Sequence, residues 1–336
     1  MTDQPRWPRG APDDERGHGQ GGRFAPVGTP GTGGWVAQVA GKLQRGWAND
    51  DQARAELATI AAGHPPLYEG DVPAGQDGVP IQVLTSGNEA EVWRVDLPDG
   101  RSVIIKSYDS GDFEEEEFED WEYENEQQRA EHEALRGQPS SVDIARANAE
   151  VVAALIAGAI GAPVAPVVLD PKADSIVWMG LIDGDSRLSG HDWATHDVTS
   201  PAGRDAWLLG LLDLLIYNND RHGYNYIVKA DGRPVGIDHG EAGLFSEGGM
   251  WPPNDDRDMH AGGAFAGLYF DDNPLTGRQH PRLTPNPLHP DDIAETRRRL
   301  RQLHAQGRFD DGHLRYMEAV LDMLHPHARG IVRLIP

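Results

Sequence analysis

The chain has 336 residues, room for a two-lobed domain with a tail, and it contains no cysteine, which excludes disulfides, thiol chemistry and a cysteine-based zinc site. Its net charge of −24 opposes binding to nucleic acid or to an anionic bilayer unless folding gathers a hidden basic patch. No apolar run is long enough to span a membrane and the N-terminus lacks a signal-like apolar region, so a soluble, cytoplasmic protein without stable membrane association is expected.

Residues 1–34 are dominated by Gly, Pro, Arg, Asp and Gln and are expected to be a disordered tail. Residues 35–77 form a short helical extension in this reading. Val36, Val39, Leu43 and Trp47 give Trp35–Trp47 one apolar face, and Asn49 or Asp50 is placed to cap a second helix over Asp50–Ala62. Packing against the following domain is the default expectation for both.

From residue 78 to 182 the pattern is that of a small, strand-rich lobe. Strands are predicted at Ile81–Leu84, Val92–Val95 and Val103–Lys106, separated by turns at Ser86–Asn88 and Pro98–Gly100. Between Asp109 and Glu133 lie thirteen acidic residues and one basic one, Arg129, a net −12 and half of the whole chain's charge. Like charges this dense repel one another, so the run reads as a solvated insertion, with a docking site for a basic protein partner as the sharper alternative. Ser140–Asp143 can cap a helix from Ile144 to about Gly161, whose branched residues Ile144, Val151, Val152, Leu155, Ile156 and Ile160 share a broad face. Glu150 lies on the opposite face with Ala153, Ala154 and Ala157. Two further strands, Val164–Leu169 and Ser175–Ile182, complete the lobe.

Residues 183–336 read as a larger, helical lobe. His191 and His196 lie in a polar stretch before Ser200 and Pro201, an N-cap and first-turn pair, which open an apolar helix running to about Tyr217. Asp213 interrupts the leucines of that helix; a buried charge needs partners, and it is expected to bond the backbone of the loop that follows. After Asn218 the chain sets down Asp220, Arg221 and His222, with Asn225 five residues beyond Asp220. A hairpin follows, Tyr226–Val228 and Val235–Ile237 around Asp231 and Gly232, and Asp238-His239-Gly240 comes directly after its second strand. Irregular, Gly- and Pro-rich sequence continues through Pro287, suited to a substrate-facing loop, and helices are predicted at Pro290–Ala305 and Asp310–Met323. Arg297, Arg298, Arg299 and Arg301 read as a solvated helix face.

Two carboxylates and one amide at the ends of paired elements are what phosphoryl transfer requires: one Asp to receive or orient the attacking hydroxyl, and an Asn with a second Asp to hold Mg²⁺. The string Asn218–Gly240, with D-R-H-x-x-N, a hairpin and then I-D-H-G, resembles the atypical kinases related to phosphatidylinositol 3-/4-kinases, above all the type II phosphatidylinositol 4-kinase group and its bacterial relatives. The resemblance implies an α+β, two-lobed, protein-kinase-like fold and ATP and Mg²⁺ as cofactors. Asp220 would then be the base or hydroxyl-orienting group, His222 a contact to the transferring phosphoryl or a brace of the loop, and Asn225 and Asp238 the metal ligands. It also implies that Lys106, at the end of an apolar strand, reaches the nucleotide phosphates, that a Glu on the next helix fixes it, with Glu150 the candidate and Glu131 and Glu133 its rivals, and that the turn Ser86, Gly87, Asn88 lays main-chain N–H groups over the phosphates. GGRFAP at Gly21–Pro26 resembles tails of actinobacterial phage head proteins, a pointer to a phage-encoded or virion-associated chain, set against a plain flexible linker.

The expected acceptor is a hydroxyl of a soluble protein or small molecule, foremost a protein Ser or Thr. There is no cysteine to acylate and no basic amphipathic helix to meet a phosphatidylinositol-bearing membrane. The alternatives are a phosphatidylinositol kinase, a metal-dependent hydrolase using Asp220, His222, Asp238 and His239, and a nucleotide-binding pseudokinase or phage-head-associated binding module.

Overall fold

The computed structural model describes residues 47–63, 81–86, 90–97, 99–108, 141–184, 197–218, 221, 225–243, 265, 268, 270–272, 279–281, 288–325, 330 and 335. The tail 1–34, the helix expected at Trp35–Trp47 except Trp47 itself, the acidic run Asp109–Glu133 and His191 and His196 lie outside them, as does most of the segment after Phe245.

The architecture is the α+β, two-lobed, kinase-like one expected from the sequence. A five-stranded sheet is built from β1 (Ile81–Ser86), β2 (Glu91–Asp96), β3 (Ser102–Ser107), β4 (Val167–Asp170) and β5 (Ala173–Gly180), in the order β1-β2-β3-β5-β4 with every pairing antiparallel. Alternation along the strands sends successive side chains to opposite faces. Val103, Ile105, Ile176 and Trp178 face one way, where they meet Leu57 and Ala61 of helix α1 (Asp51–Gly63). Asp50 caps that helix, its carboxylate accepting from the Ala53 N–H at 2.8 Å. Just ahead of it, the Trp47 indole N–H donates to the Ser102 carbonyl at 2.9 Å, and the Asn49 amide donates to the Ala154 carbonyl at 2.8 Å. The expected packing of the extension on the lobe is therefore seen for its second helix.

The other face carries Ile104, Lys106, Val177 and Met179 and is covered by helix α2 (Ser141–Ile160). Ala147, Ala149, Ala153, Ala154 and Ala157 of α2 are buried together with Ile156 and Ile160 of the branched face, whereas Val151, Val152 and Leu155 are only partly covered. Small side chains let the helix axis approach the sheet closely, and that approach carries Glu150 into the interior. β4 and β5 turn at Asp170, whose carboxylate accepts from the Lys172 N–H at 2.7 Å and the Trp178 indole at 2.6 Å.

The larger lobe is organised on α3 (Pro201–Leu215), which is buried along nearly its whole length and begins where expected: Ser200 Oγ accepts from the Gly203 N–H at 3.0 Å and Pro201 opens the first turn. The hairpin β6 (Tyr226–Val228) and β7 (Pro234–Gly236) turns through Gly232, whose φ of 81° favours glycine. A parallel bridge from Gly236 to Val164 stitches the hairpin to the segment leaving α2. A second hairpin, β8 (Phe270–Asp272) with β9 (Gln279–Pro281), was not legible in the irregular sequence. Helices α4 (Pro290–Ala305) and α5 (Asp311–Leu324) close the chain, with His289 and Asp310 as N-caps. The arginines of α4 form pairs with Glu295, Glu318 and Asp322.

Candidate active site

Lys106 reaches the site because it is the penultimate residue of β3 and points toward α2. Its ammonium lies 3.1 Å from Glu150 Oε1 and 2.6 Å from Asp238 Oδ1. Three segments far apart in sequence thus supply one cluster: the central strand, the covering helix and the residue after the β6–β7 hairpin. Lys106 and Glu150 are buried, while the Asp238 side chain is 44% exposed. Burial works against the charge on Lys106, yet the adjacent acidic groups, Asp238 first, outweigh it and hold its pKa well above the ordinary lysine value. Burial likewise opposes the Glu150 carboxylate, and the Lys106 charge and the His239 bonds overcome it, so Glu150 is held well below the usual carboxylate range. The pair is therefore ionised.

Every oxygen of Glu150 is engaged. Oε1 accepts from the Tyr108 hydroxyl at 2.9 Å as well as from Lys106, and Oε2 accepts from the His239 main-chain N–H at 2.9 Å. The His239 ring is also turned to Oε2, with Nδ1 at 3.3 Å. A second ion pair joins the same elements one turn earlier, Arg146 to Glu241 at 2.6 Å. Helix α2 is thereby held to the segment 239–241 by two of its own side chains, spaced for one face.

Asp238 has a φ of 59°, a left-handed backbone that a non-glycine residue rarely adopts. What holds it there is visible on both sides. Ile237 donates its N–H to the Asn225 carbonyl at 3.0 Å, Gly236 donates to the Pro163 carbonyl at 2.8 Å, and His239 is tied to Glu150. The Ile237 bond also sets Asn225, which is buried, directly across from the residue preceding Asp238.

Beneath this lies Arg221, the middle residue of the D-R-H string. It is completely buried and donates to both Asp213 oxygens, at 2.9 Å through Nη2 for the closer one, and through Nη1 to the carbonyls of Asn225 and Ile237, both at 2.5 Å. Asp213 also accepts from the Asn218 side-chain amide at 3.1 Å. The sequence led us to expect Asp213 to bond the loop backbone; instead its carboxylate holds Arg221, and Arg221 grips the backbone. A carboxylate can accept but not donate, so reaching two carbonyls needs a donor in between, which the Arg221 guanidinium supplies.

Among the sequence-predicted site residues, the structure brings Lys106, Glu150 and Asp238 together and places Asn225 one backbone bond away. Ser86 belongs to β1, opposite Glu91, rather than to the turn; pairing with β2 extends the strand by two residues and shortens the connection. Gly87, Asn88, Asp220 and His222 lie outside the described residues, as do the rivals Glu131 and Glu133. Tyr108, Arg221 and Arg146 are the residues that sequence reasoning left without a role.

The partly exposed Asp238 carboxylate is the kind of oxygen donor that a hard divalent cation takes, and the buried Asn225 is linked to the residue before it through the main chain. The His239 ring is buried, with Nδ1 turned to Glu150. Among the described residues no group of three His, Asp or Glu side chains is arranged to hold a metal by itself. Nor is any helix among those residues long and apolar enough to cross a membrane.

No protein-family model matches the chain, and no curated protein matches it. Solved structures similar to it include the Rv3197 protein of Mycobacterium tuberculosis in complex with erythromycin, at 18% identity over 56% of this chain and 54% of that one, with a TM-score of 0.28. The Rio2 kinase of Chaetomium thermophilum, in an ADP/Mg²⁺–phosphoaspartate complex, matches at 15% identity over 73% and 70%, with a TM-score of 0.32. The golgi casein kinase matches at 13% identity over 85% and 78%, with a TM-score of 0.35. The chain spans only about half the length of the first of these. At such identities the likeness is one of fold alone.

Proposed function

We propose that the chain is an ATP-dependent phosphotransferase acting on a hydroxyl of a soluble acceptor, a protein Ser or Thr in the first instance. The observation that carries this reading is the buried Lys106, ionised between Glu150 and Asp238. An ammonium fixed by one buried carboxylate, and in contact with a second that opens to solvent, is a device for receiving phosphate charge. Glu150 holds the lysine in place, and Lys106 meets the phosphate oxygens of the nucleotide. Asn225 and Asp238 would hold Mg²⁺, which supplies neutralisation of the β- and γ-phosphate charge when bound.

Asp220 orients the acceptor hydroxyl and takes its proton as the oxygen attacks the γ-phosphorus. The bond to the β-γ bridging oxygen breaks, and ADP leaves with that oxygen. The Asp213–Arg221 brace fixes the backbone at Asn225 and Ile237, so the residue before Asp238 is held by the protein before any substrate arrives. The absence of cysteine and the charge of −24 favour a soluble acceptor over a lipid one.

The test is turnover of γ-labelled ATP with Mg²⁺, with a protein mixture and phosphatidylinositol vesicles offered in parallel. Label in protein, lost in Lys106→Met, is the expected result. Faster labelling of the vesicles would overturn the soluble-acceptor assignment, and no label anywhere with no ATP hydrolysis would overturn the phosphotransferase reading.

A further inference from the structure

Tyr108 stands immediately after β3, where no motif singles it out. Its main-chain N–H donates to the Ser175 carbonyl at 3.1 Å, which carries the β3–β5 pairing one residue past the strand and fixes the direction of the side chain. The ring is 2% exposed. Its hydroxyl donates to Glu150 Oε1 at 2.9 Å, the same oxygen that receives Lys106, and the Lys106 ammonium lies 4.6 Å from the ring centroid. On its far side the ring meets Gly240. A methyl group placed on Gly240 would overlap the Tyr108 hydroxyl and come within 2.9 Å of Cζ and 3.1 Å of Cε1. Burial, then the neighbouring Glu150, pushes the phenol pKa well up, so the hydroxyl stays a donor.

Resting on the phosphotransferase reading above, we propose that Tyr108 is a positioning residue for Lys106, acting through Glu150, and that its ring is what requires glycine at position 240. Glu150 Oε1 has two donors. With the hydroxyl present, Lys106 is one of two groups satisfying that oxygen, and its ammonium is shared outward with Asp238 and with phosphate. Without it, Lys106 becomes the only donor to Oε1 and is drawn toward the carboxylate, away from the nucleotide. The ring face adds a weak attraction for the ammonium that the hydroxyl does not influence, so Tyr108→Phe isolates the hydrogen bond. Against Gly240 the ring sets the distance between β3 and the segment bearing Asp238, since neither element can move closer without driving backbone into the aromatic edge.

The experiment measures Mg²⁺–ATP affinity and steady-state kinetics for the native chain, Tyr108→Phe and Gly240→Ala, with melting temperatures for each and for Tyr108→Leu with and without Gly240→Ala. Removing a ground-state phosphate contact raises KM and leaves kcat nearly unchanged, so Tyr108→Phe should bind Mg²⁺–ATP about tenfold more weakly, with kcat within roughly threefold. Gly240→Ala should weaken nucleotide binding in the same sense. Its effect on melting should be smaller in the Tyr108→Leu background, where the far end of the ring is gone, a non-additivity expected only of residues in contact. Native binding with unchanged affinity in Tyr108→Phe, whatever its melting temperature, would overturn the positioning role and leave the phosphotransferase reading standing. If Tyr108→Phe does not fold, unchanged affinity in Gly240→Ala overturns the role in its place. Absence of nucleotide binding by the native chain would overturn the phosphotransferase reading itself, and the positioning role with it.

Discussion

Arg221 and Lys106 are both buried cations facing buried carboxylates, and they differ in what the protein leaves for others. Arg221 is sealed: its side chain and that of Asp213 are 0% and 1% exposed, and its donors are taken by Asp213 and two main-chain carbonyls. Lys106 is shared: one partner, Glu150, is sealed, and the other, Asp238, opens to solvent. The planar guanidinium, with donors in a fixed fork, suits a permanent brace across three segments. The ammonium is a compact charge with rotatable donors, and it suits a contact that is exchanged when a ligand arrives. Ion pairs of the same kind serve permanence in one place and exchange in the other, and open access to one carboxylate is the difference between them.

The largest effect follows from breaking the sealed pair. Arg221→Leu leaves Asp213 charged in the core and takes a donor from the Asn225 and Ile237 carbonyls, and urea denaturation should show a loss of about 3–5 kcal/mol. Lys106→Met is the control that sharpens the contrast. Glu150 keeps the Tyr108 hydroxyl and the His239 N–H, so the stability loss should be clearly smaller, while turnover falls on the order of a hundredfold or more. Equal stability losses in the two variants would erase the distinction.

Opening to solvent at Asp238 should show as metal dependence. Saturation at ~100 times the dissociation constant adds about 2.7 kcal/mol, so ATP should raise the melting temperature mainly when Mg²⁺ is present. Asp238→Asn should remove most of the Mg²⁺-dependent part and keep the fold, because Asn tolerates the left-handed backbone at this position. An undiminished Mg²⁺–ATP shift in that variant would count against metal binding here.

Acid should act on the Lys106 site through Glu150. Its carboxyl is held below its unfolded value, so between the two the unfolded chain binds the extra proton. The stabilisation is complete above the unfolded pKa, ~4.3, and is lost as pH falls below it toward the folded value. One such group contributes a slope of at most about 1.4 kcal/mol per pH unit. Glu150→Gln should flatten the acid limb of a stability–pH curve, and an identical limb would remove Glu150 as its source. The smallest effect is expected from deleting residues 1–34, whose composition offers little apolar surface to bury; melting and ATP binding should stay as they are. A large fall in melting temperature would assign that segment to the fold.

Much of this framework was legible in the chain. Strand alternation put Lys106 at the end of an apolar run, Ser200-Pro201 announced α3, and the Asp231-Gly232 turn fixed the hairpin that delivers Asp238. These signals are local, and local signals survive in a sequence. Which glutamate meets Lys106 is not local. Glu150 lies 44 residues beyond the lysine, and choosing it over Glu131 or Glu133 depends on how closely α2 approaches the sheet. The alanines around Glu150 are buried along with Ile156 and Ile160, and a pattern of apolar residues on both sides of a helix does not say which side meets the sheet. Tyr108 gave no signal at all, because a tyrosine after a strand is ordinary until its hydroxyl is seen on a carboxylate. Arg221 was in plain view inside the motif, but its work lies in two carbonyls that only the fold brings near.

Trp47 carries a mechanical consequence. The indole covers Gly180, so closely that no side chain fits there, and Arg101 stacks on the ring with the guanidinium carbon 4.4 Å from its centroid. The Asn49 bond to Ala154 of α2 adds a second anchor, so the chain is bolted both to the end of β5 and to the helix that covers Lys106. Tension applied upstream of residue 47 is therefore taken up in shear across an aromatic wedge and a side-chain amide, before it can peel a strand from the sheet. A molecule tethered by that end to a surface, a bead or a larger assembly would pass load into the sheet at Gly180, the last residue of β5, and at Ser102, the first of β3, four residues along that strand from Lys106.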